Sequence, residues 1–161
     1  RDRVRPDGQV ERHTKTLDVT VPAGSIDGTR IRLKGQGGAG TDGAPAGDLF
    51  LRVHVRPDPR FELDGRHLKT YLDITPWEAA LGAKVPLKLM DGKTASLNIQ
   101  PGARSGSQLR LKGHGLPARG RKKAGDLIAE LRIVVPDRLS DAEKELFEKL
   151  AETSKFNPRA A

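Results

Sequence analysis

The 161-residue sequence contains no cysteine. Disulfides, cysteine-ligated zinc, iron–sulfur clusters and thiol catalysis are thereby excluded from this chain, while a reducing compartment is allowed. Aromatic residues are scarce at 4%, with one Trp, one Tyr and four Phe. Stacking on nucleic-acid bases therefore has few side chains to use. No apolar run approaches the roughly 18 residues of a membrane span. Hydrophobic residues make up only 35% of the chain. They nevertheless recur in regular short runs, which a disordered sequence lacks. Acidic residues are outnumbered, 21 against 29 Lys plus Arg, for a net charge of +8. The sequence opens on Arg1-Asp2-Arg3-Val4, without an initiator Met or a signal peptide, and reads as a piece of a longer chain.

What the chain has is an internal duplication. Shifted by 78 residues, positions 17–57 lie over 95–135 without a gap, with 11 identities in 41 positions. The identities include Gly24/Gly102, Gly28/Gly106, Arg32/Arg110, Leu33/Leu111, Lys34/Lys112, Gly35/Gly113 and Gly37/Gly115, and Gly47-Asp48-Leu49 lies over Gly125-Asp126-Leu127. That spacing is too long for a solenoid and suits two small domains in tandem. Each copy alternates with period 2, predicting strands over 16–21, 30–34 and 49–55 in the first. The second should carry them near 93–99, 107–112 and 126–135. Between the copies, strands are predicted near 67–74 and 84–89, flanking a short segment at Pro76–Leu81, and Asp91-Gly92 signals a type I′ hairpin.

The tail differs in period. Ser140-Asp141-Ala142-Glu143 forms a capping box, after which Ala142, Leu146, Phe147 and Leu150 recur at helical spacing. Asn157-Pro158 stops the helix. At about 13 residues such a helix is marginal alone, so its apolar stripe needs cover.

Catalytic signals are weak. Gly35-Gln36-Gly37-Gly38-Ala39-Gly40 matches the dinucleotide fingerprint, but the glycine- and proline-containing run that follows cannot open the required helix, so it reads as a turn-rich loop. His13, His54, His67 and His114 show no metal-ligand spacing, and no G-x-S-x-G elbow occurs. No constellation for acid–base or nucleophilic chemistry appears, no cofactor or metal is implied, and the chain is not expected to be an enzyme. The run Arg119-Gly120-Arg121-Lys122-Lys123 is a candidate for DNA-backbone contact through Arg119, Arg121, Lys122 and Lys123. Arg1, Arg3, Arg5, Arg12, Lys15, Arg30, Arg32 and Lys34 add charge nearer the N-terminus.

The stretches 19–24, 28–37 and 47–49 resemble the C-terminal region of J-domain co-chaperones, the Hsp40 or DnaJ family. Pro76-Trp77-Glu78-Ala79-Ala80-Leu81-Gly82-Ala83 resembles most closely its curved-DNA-binding branch. The resemblance covers about 13–158. It implies an all-β (mainly) fold of two tandem β-sandwich-like domains plus a short C-terminal helix that dimerises. The expected units are 1–58, N-terminally incomplete, 59–136, and a dimerisation helix and tail at 137–161. It further implies a cytoplasmic protein that binds exposed apolar segments of unfolded client polypeptides for delivery to Hsp70. The J-domain signature His-Pro-Asp does not occur in this chain, nor does the Cys-rich zinc insertion of type I members, which fits a type II protein. Family members carry one or two strands ahead of the position of Arg1 that supply much of the first peptide groove, and their Pro-His-Pro stands here as Pro57-Asp58-Pro59. By the resemblance, Phe61 lines the client groove, and Leu146, Phe147, Leu150 and Phe156 form the homodimer contact. The alternative reading is a DNA-binding architectural module, possible nucleoid association included.

Overall fold

The computed structural model describes residues 2–4, 6–12 and 14–160. Among these, strands dominate. They are β1 (Asp2–Val4), β2 (Val10–Arg12), β3 (Arg30–Leu33), β4 (Leu49–Arg52), β5 (Glu62–Asp64) and β6 (His67–Ile74), followed by β7 (Ala83–Lys88), β8 (Thr94–Ile99), β9 (Gln108–Leu111) and β10 (Leu127–Ile133). Two helices, α1 (Pro76–Leu81) and α2 (Asp141–Thr153), complete the set. The mainly-β expectation holds.

The second copy is built around a four-stranded sheet in the order β5-β6-β10-β9, with β6 and β10 parallel and the outer pairs antiparallel. Alternation along β6 buries Leu68, Thr70, Leu72 and Ile74 and exposes Lys69, Tyr71 and Asp73, as a sheet with one covered face requires. The β7–β8 hairpin supplies Val85, Leu87, Leu97 and Ile99 to the same apolar cluster, which Leu127, Ala129, Leu131, Ala79, Leu89 and Phe61 complete. Each fully buried Leu or Ile is worth roughly 1.5–3 kcal/mol. The α1 turn closes one end: Thr75 caps it by accepting from the Glu78 N–H, Glu78 reciprocates on the Thr75 N–H, and Pro76 opens it.

The duplication extends to individual hydrogen bonds. The Gly28 N–H donates to the Val53 carbonyl at 2.8 Å and the Gly106 N–H to that of Leu131 at 2.7 Å. The Gly37 N–H donates to Gly47 at 2.7 Å and the Gly115 N–H to Gly125 at 2.9 Å. The two copies nonetheless differ in burial. Every buried hydrophobic side chain among the described residues falls between Phe61 and Leu131, whereas Ile31, Leu33, Leu49 and Leu51 are only half-buried. Among the described residues β4 has β3 on one side and no strand on the other.

Two expectations are corrected. No strand forms over 16–21. Its counterpart β8 pairs with β7, and the positions matching β7 hold Pro6-Asp7-Gly8, a turn between β1 and β2 that cannot supply a ladder. Alternation without a partner strand leaves Val21 exposed. The β7–β8 hairpin exists, but its turn is not type I′, which needs positive φ at both central residues. Gly92 has φ of 84° whereas Asp91 does not enter that region, and the Leu89 N–H donates to the Lys93 carbonyl across three residues, Met90 to Gly92.

The glycine-rich loops pack directly on backbone. A Cβ built at Gly125 overlaps the carbonyl of Arg66, and one at Gly115 meets the same group. Gly125→Ala should therefore lower stability by about 3 kcal/mol or more. Gly65→Ala, with positive φ but open space around it, should cost only about 1 kcal/mol. Urea unfolding of the two variants side by side measures the difference.

Candidate functional site

A concavity of about 870 Å³ wraps the β5 edge of the mixed sheet. Its apolar lining includes Ile26 and Val55 from the first copy and Phe61, Leu63, Tyr71 and Ile128 from the second. β5 pairs with β6 along one edge and with no strand along the other among the described residues. An extended peptide could add there as a further strand. Phe61 itself is 9% exposed and belongs to the core cluster, so it forms the floor of this groove rather than its rim. Ile26, Val55, Leu63 and Tyr71 are exposed around it.

The approach to Phe61 is shaped by Pro57-Asp58-Pro59. The Asp58 carboxylate accepts the Arg60 backbone N–H at 2.9 Å and its guanidinium at 2.9 Å, and the Arg60 guanidinium lies 5.3 Å from the Phe61 ring centre. The Arg60 side chain, then its backbone N–H, hold the Asp58 carboxyl below the usual carboxylate range. Aspartate at this position thus closes a local turn that delivers Phe61 to the core.

The basic loop sits at the seam between the copies. Arg119 and Lys122 pair backbone to backbone, and the Arg119 guanidinium donates to Thr29 Oγ1 at 3.1 Å. Arg66 donates to the Pro117 carbonyl and, at 3.1 Å, to that of Lys123. Arg119 is therefore half-buried and engaged, while Arg121, Lys122 and Lys123 are exposed. A smaller hollow of about 550 Å³ lies between Gly24–Thr29 and the side of this loop bearing Arg119, Arg121 and Lys122.

On the tail, Ser140 and Glu143 form the capping box reciprocally, as the sequence predicted. Leu146, Leu150 and Phe156 are 67%, 62% and 81% exposed. Phe147 alone of the four meets another ring, that of Trp77 on α1, at 6.3 Å between centres. Sequence spacing did not join Trp77 to the tail; the short capped helix at Thr75–Leu81 was the available signal.

A carboxylate recurs at the base of each glycine loop. Asp48 accepts from the Gly35 N–H at 2.9 Å and from Arg32 at 2.6 Å, and Asp126 accepts from the Gly113 N–H at 2.9 Å and from Arg110 at 2.6 Å. The loop that matches the dinucleotide fingerprint is thus closed on its own strand. Among the described residues no group of three His, Asp or Glu gathers to hold a metal ion, and no helix is long and apolar enough to cross a membrane.

Duplicated β units, an open apolar groove and an exposed basic loop thus characterise a mainly-β protein of duplicated architecture. The profile of the DnaJ C terminal domain matches residues 3–136, and the chain belongs to that family. It is 47% identical over 146 residues to a curved DNA-binding protein of Pseudomonas putida KT2440, covering 91% of this chain and 45% of that protein. It is 46% identical over 154 residues to one from Serratia proteamaculans, covering 94% and 49%. A third, from Coxiella burnetii Dugway, is 43% identical over 152 residues, covering 94% and 47%. The chain spans about half the length of these relatives.

The loop N–H donors, then the arginines, hold the Asp48 and Asp126 carboxyls below the usual range. Groups of depressed pKa stabilise fully above the ordinary carboxylate pKa, and this contribution is lost as pH falls through the lower folded value. Asp126→Asn should reduce stability at pH 7 and make its decline between pH 5 and pH 2 shallower than in the wild type. Urea midpoints across that range are the measurement.

Proposed function

We propose that this chain is the client-holding part of a DnaJ-family co-chaperone, with units at 1–58, 59–136 and 137–161, working in the cytoplasm. The observation that carries the reading is the apolar groove beside the unpaired edge of β5. An unfolded client would bury apolar side chains against Ile26, Val55 and Leu63 while its backbone pairs along β5. The activity is holding rather than chemistry, and delivery to Hsp70 would rest on a J domain, whose His-Pro-Asp signature is not in this chain. Phe61 supports the groove from below. Phe61→Ala should cost about 3–5 kcal/mol of stability, typical of a buried Phe, so its folding and binding effects would be entangled. The exposed rim separates them. Ile26→Asp with Leu63→Asp should weaken binding of a permanently unfolded, carboxymethylated client about tenfold or more, with the thermal midpoint held within ~2 °C, read by anisotropy and calorimetry. Unchanged client affinity in that variant would remove the groove from the reading.

A second reading, duplex DNA binding, is favoured by the net charge of +8, by the exposed Arg121, Lys122 and Lys123, and by the name borne by the relatives. Salt separates the two: phosphate contacts weaken steeply as salt rises, whereas apolar burial does not.

The third element is homodimerisation through the tail. Leu146, Leu150 and Phe156 are exposed beside the Trp77–Phe147 contact, and an isologous pairing would cover them and place two grooves on one client. Three or four such side chains make a modest interface. Sedimentation should show a dimer that dissociates on dilution, and Leu146→Glu with Leu150→Glu should run as a monomer at every concentration.

A further inference from the structure

On β3 and β4, Arg30 stands directly opposite Arg52 and Arg32 directly opposite Phe50. All four side chains are exposed, on the face away from the half-buried Ile31, Leu33, Leu49 and Leu51. Lys34, His54 and Arg56 prolong the same rows beyond the strands. Arg32 is paired with Asp48, and His54 lies 3.6 Å from Asp27. Neither Arg30 nor Arg52 has a carboxylate within ion-pair distance among the described residues. Like charges directly opposite on one sheet face destabilise the pair.

The duplication supplies an internal control. At the matching positions the second copy has Gln108 opposite Glu130 and Arg110 opposite Ile128. Its further cation, Arg132, is neutralised by Asp73 at 2.7 Å. The same ladder thus forms without facing arginines, so the fold does not require them. What distinguishes the first copy's outer face is charge.

We infer that the outer face of the β3–β4 ribbon, centred on Arg30 and Arg52, is a contact surface for the phosphate backbone of duplex DNA. The inference deepens the DNA reading above and rests on it. Outward side chains recur about every 6.8 Å along a strand, so successive cations of one row can each reach a different phosphate of the duplex. The neighbouring strand, about 4.8 Å away, supplies a second row. Guanidinium groups donate two parallel hydrogen bonds to a phosphate, which ammonium groups cannot. Phe50, 60% exposed between the arginines, gives the sugars an apolar surface. The surface lies on the first copy, and Arg121–Lys123 would add to it from the seam.

The test titrates the 161-residue chain with a fluorescent duplex at several salt concentrations. Arg30→Gln with Arg52→Gln removes two phosphate contacts. The slope of log affinity against log salt should become shallower by about 1.8, and affinity at 0.1 M salt should fall about 60-fold. The thermal midpoint should not fall, because the opposed charges are gone. Arg30→Lys with Arg52→Lys should keep most of the slope. Wild-type binding with an unchanged slope in the glutamine variant overturns the assignment of this face and leaves DNA binding to the 119–123 loop; absence of wild-type binding overturns the DNA reading itself. Tighter binding to polyglutamate than to the duplex at equal charge would assign the face to acidic polypeptide instead and overturn the inference.

Discussion

Parallel strands cannot be joined by a tight hairpin, so pairing β6 with β10 draws everything between them into one arrangement. The crossover contains α1, the β7–β8 hairpin and β9; α1 and the hairpin bring apolar side chains to the buried face that β6 and β10 share, while β9 extends the sheet beside β10. The start of β10 is fastened as well. The Asp126 N–H donates to His67 Nδ1 at 2.9 Å, and the Leu68 N–H donates to the Asp126 carbonyl at 2.9 Å. The second glycine loop then has a single place to go, with the Leu116 N–H donating to Arg66 at 3.0 Å. Its glycines are dictated by that closeness, because a side chain at Gly125 would occupy the space of the Arg66 carbonyl.

From this fixed point the structure reaches outward to the first copy. The loop held on Arg66 carries Arg119 to Thr29. On the other side, the Asp58 turn leads the chain into Phe61 and β5. The apolar groove exists because two surfaces of different origin meet there: Ile26 and Val55 from a unit with no buried hydrophobic side chain among the described residues, and the β5 edge of a unit that has many. A groove with one firm wall and one built from exposed side chains is suited to adaptable apolar contact, where complementarity to any single ligand is not demanded.

The repeat was legible because its determinants are local. Gly-Asp-Leu triplets and paired glycines specify turns and closures that depend on a few neighbouring residues, and the same hydrogen bonds appear 78 residues apart. The capping boxes at Thr75 and Ser140 are of the same kind. The strand expected over 16–21 failed for a complementary reason. Period-2 alternation states which face would be buried, but a strand needs a ladder, and the positions that would supply it hold Pro6-Asp7-Gly8.

By itself the sequence determined the duplicated mainly-β architecture, the helical tail with its apolar stripe, and the absence of cysteine chemistry, because these follow from periodicity, spacing and composition. Tertiary structure alone decided that Phe61 is a buried floor, that Arg119 is a tie between copies while its neighbours stay exposed, and that Phe147 meets Trp77. It also decided that Arg30 faces Arg52 across a ladder, with no carboxylate paired to either among the described residues. The physical reason is common to all four: exposure and partnership are properties of residues distant in sequence, and only the packing of one element on another brings them within a few ångströms.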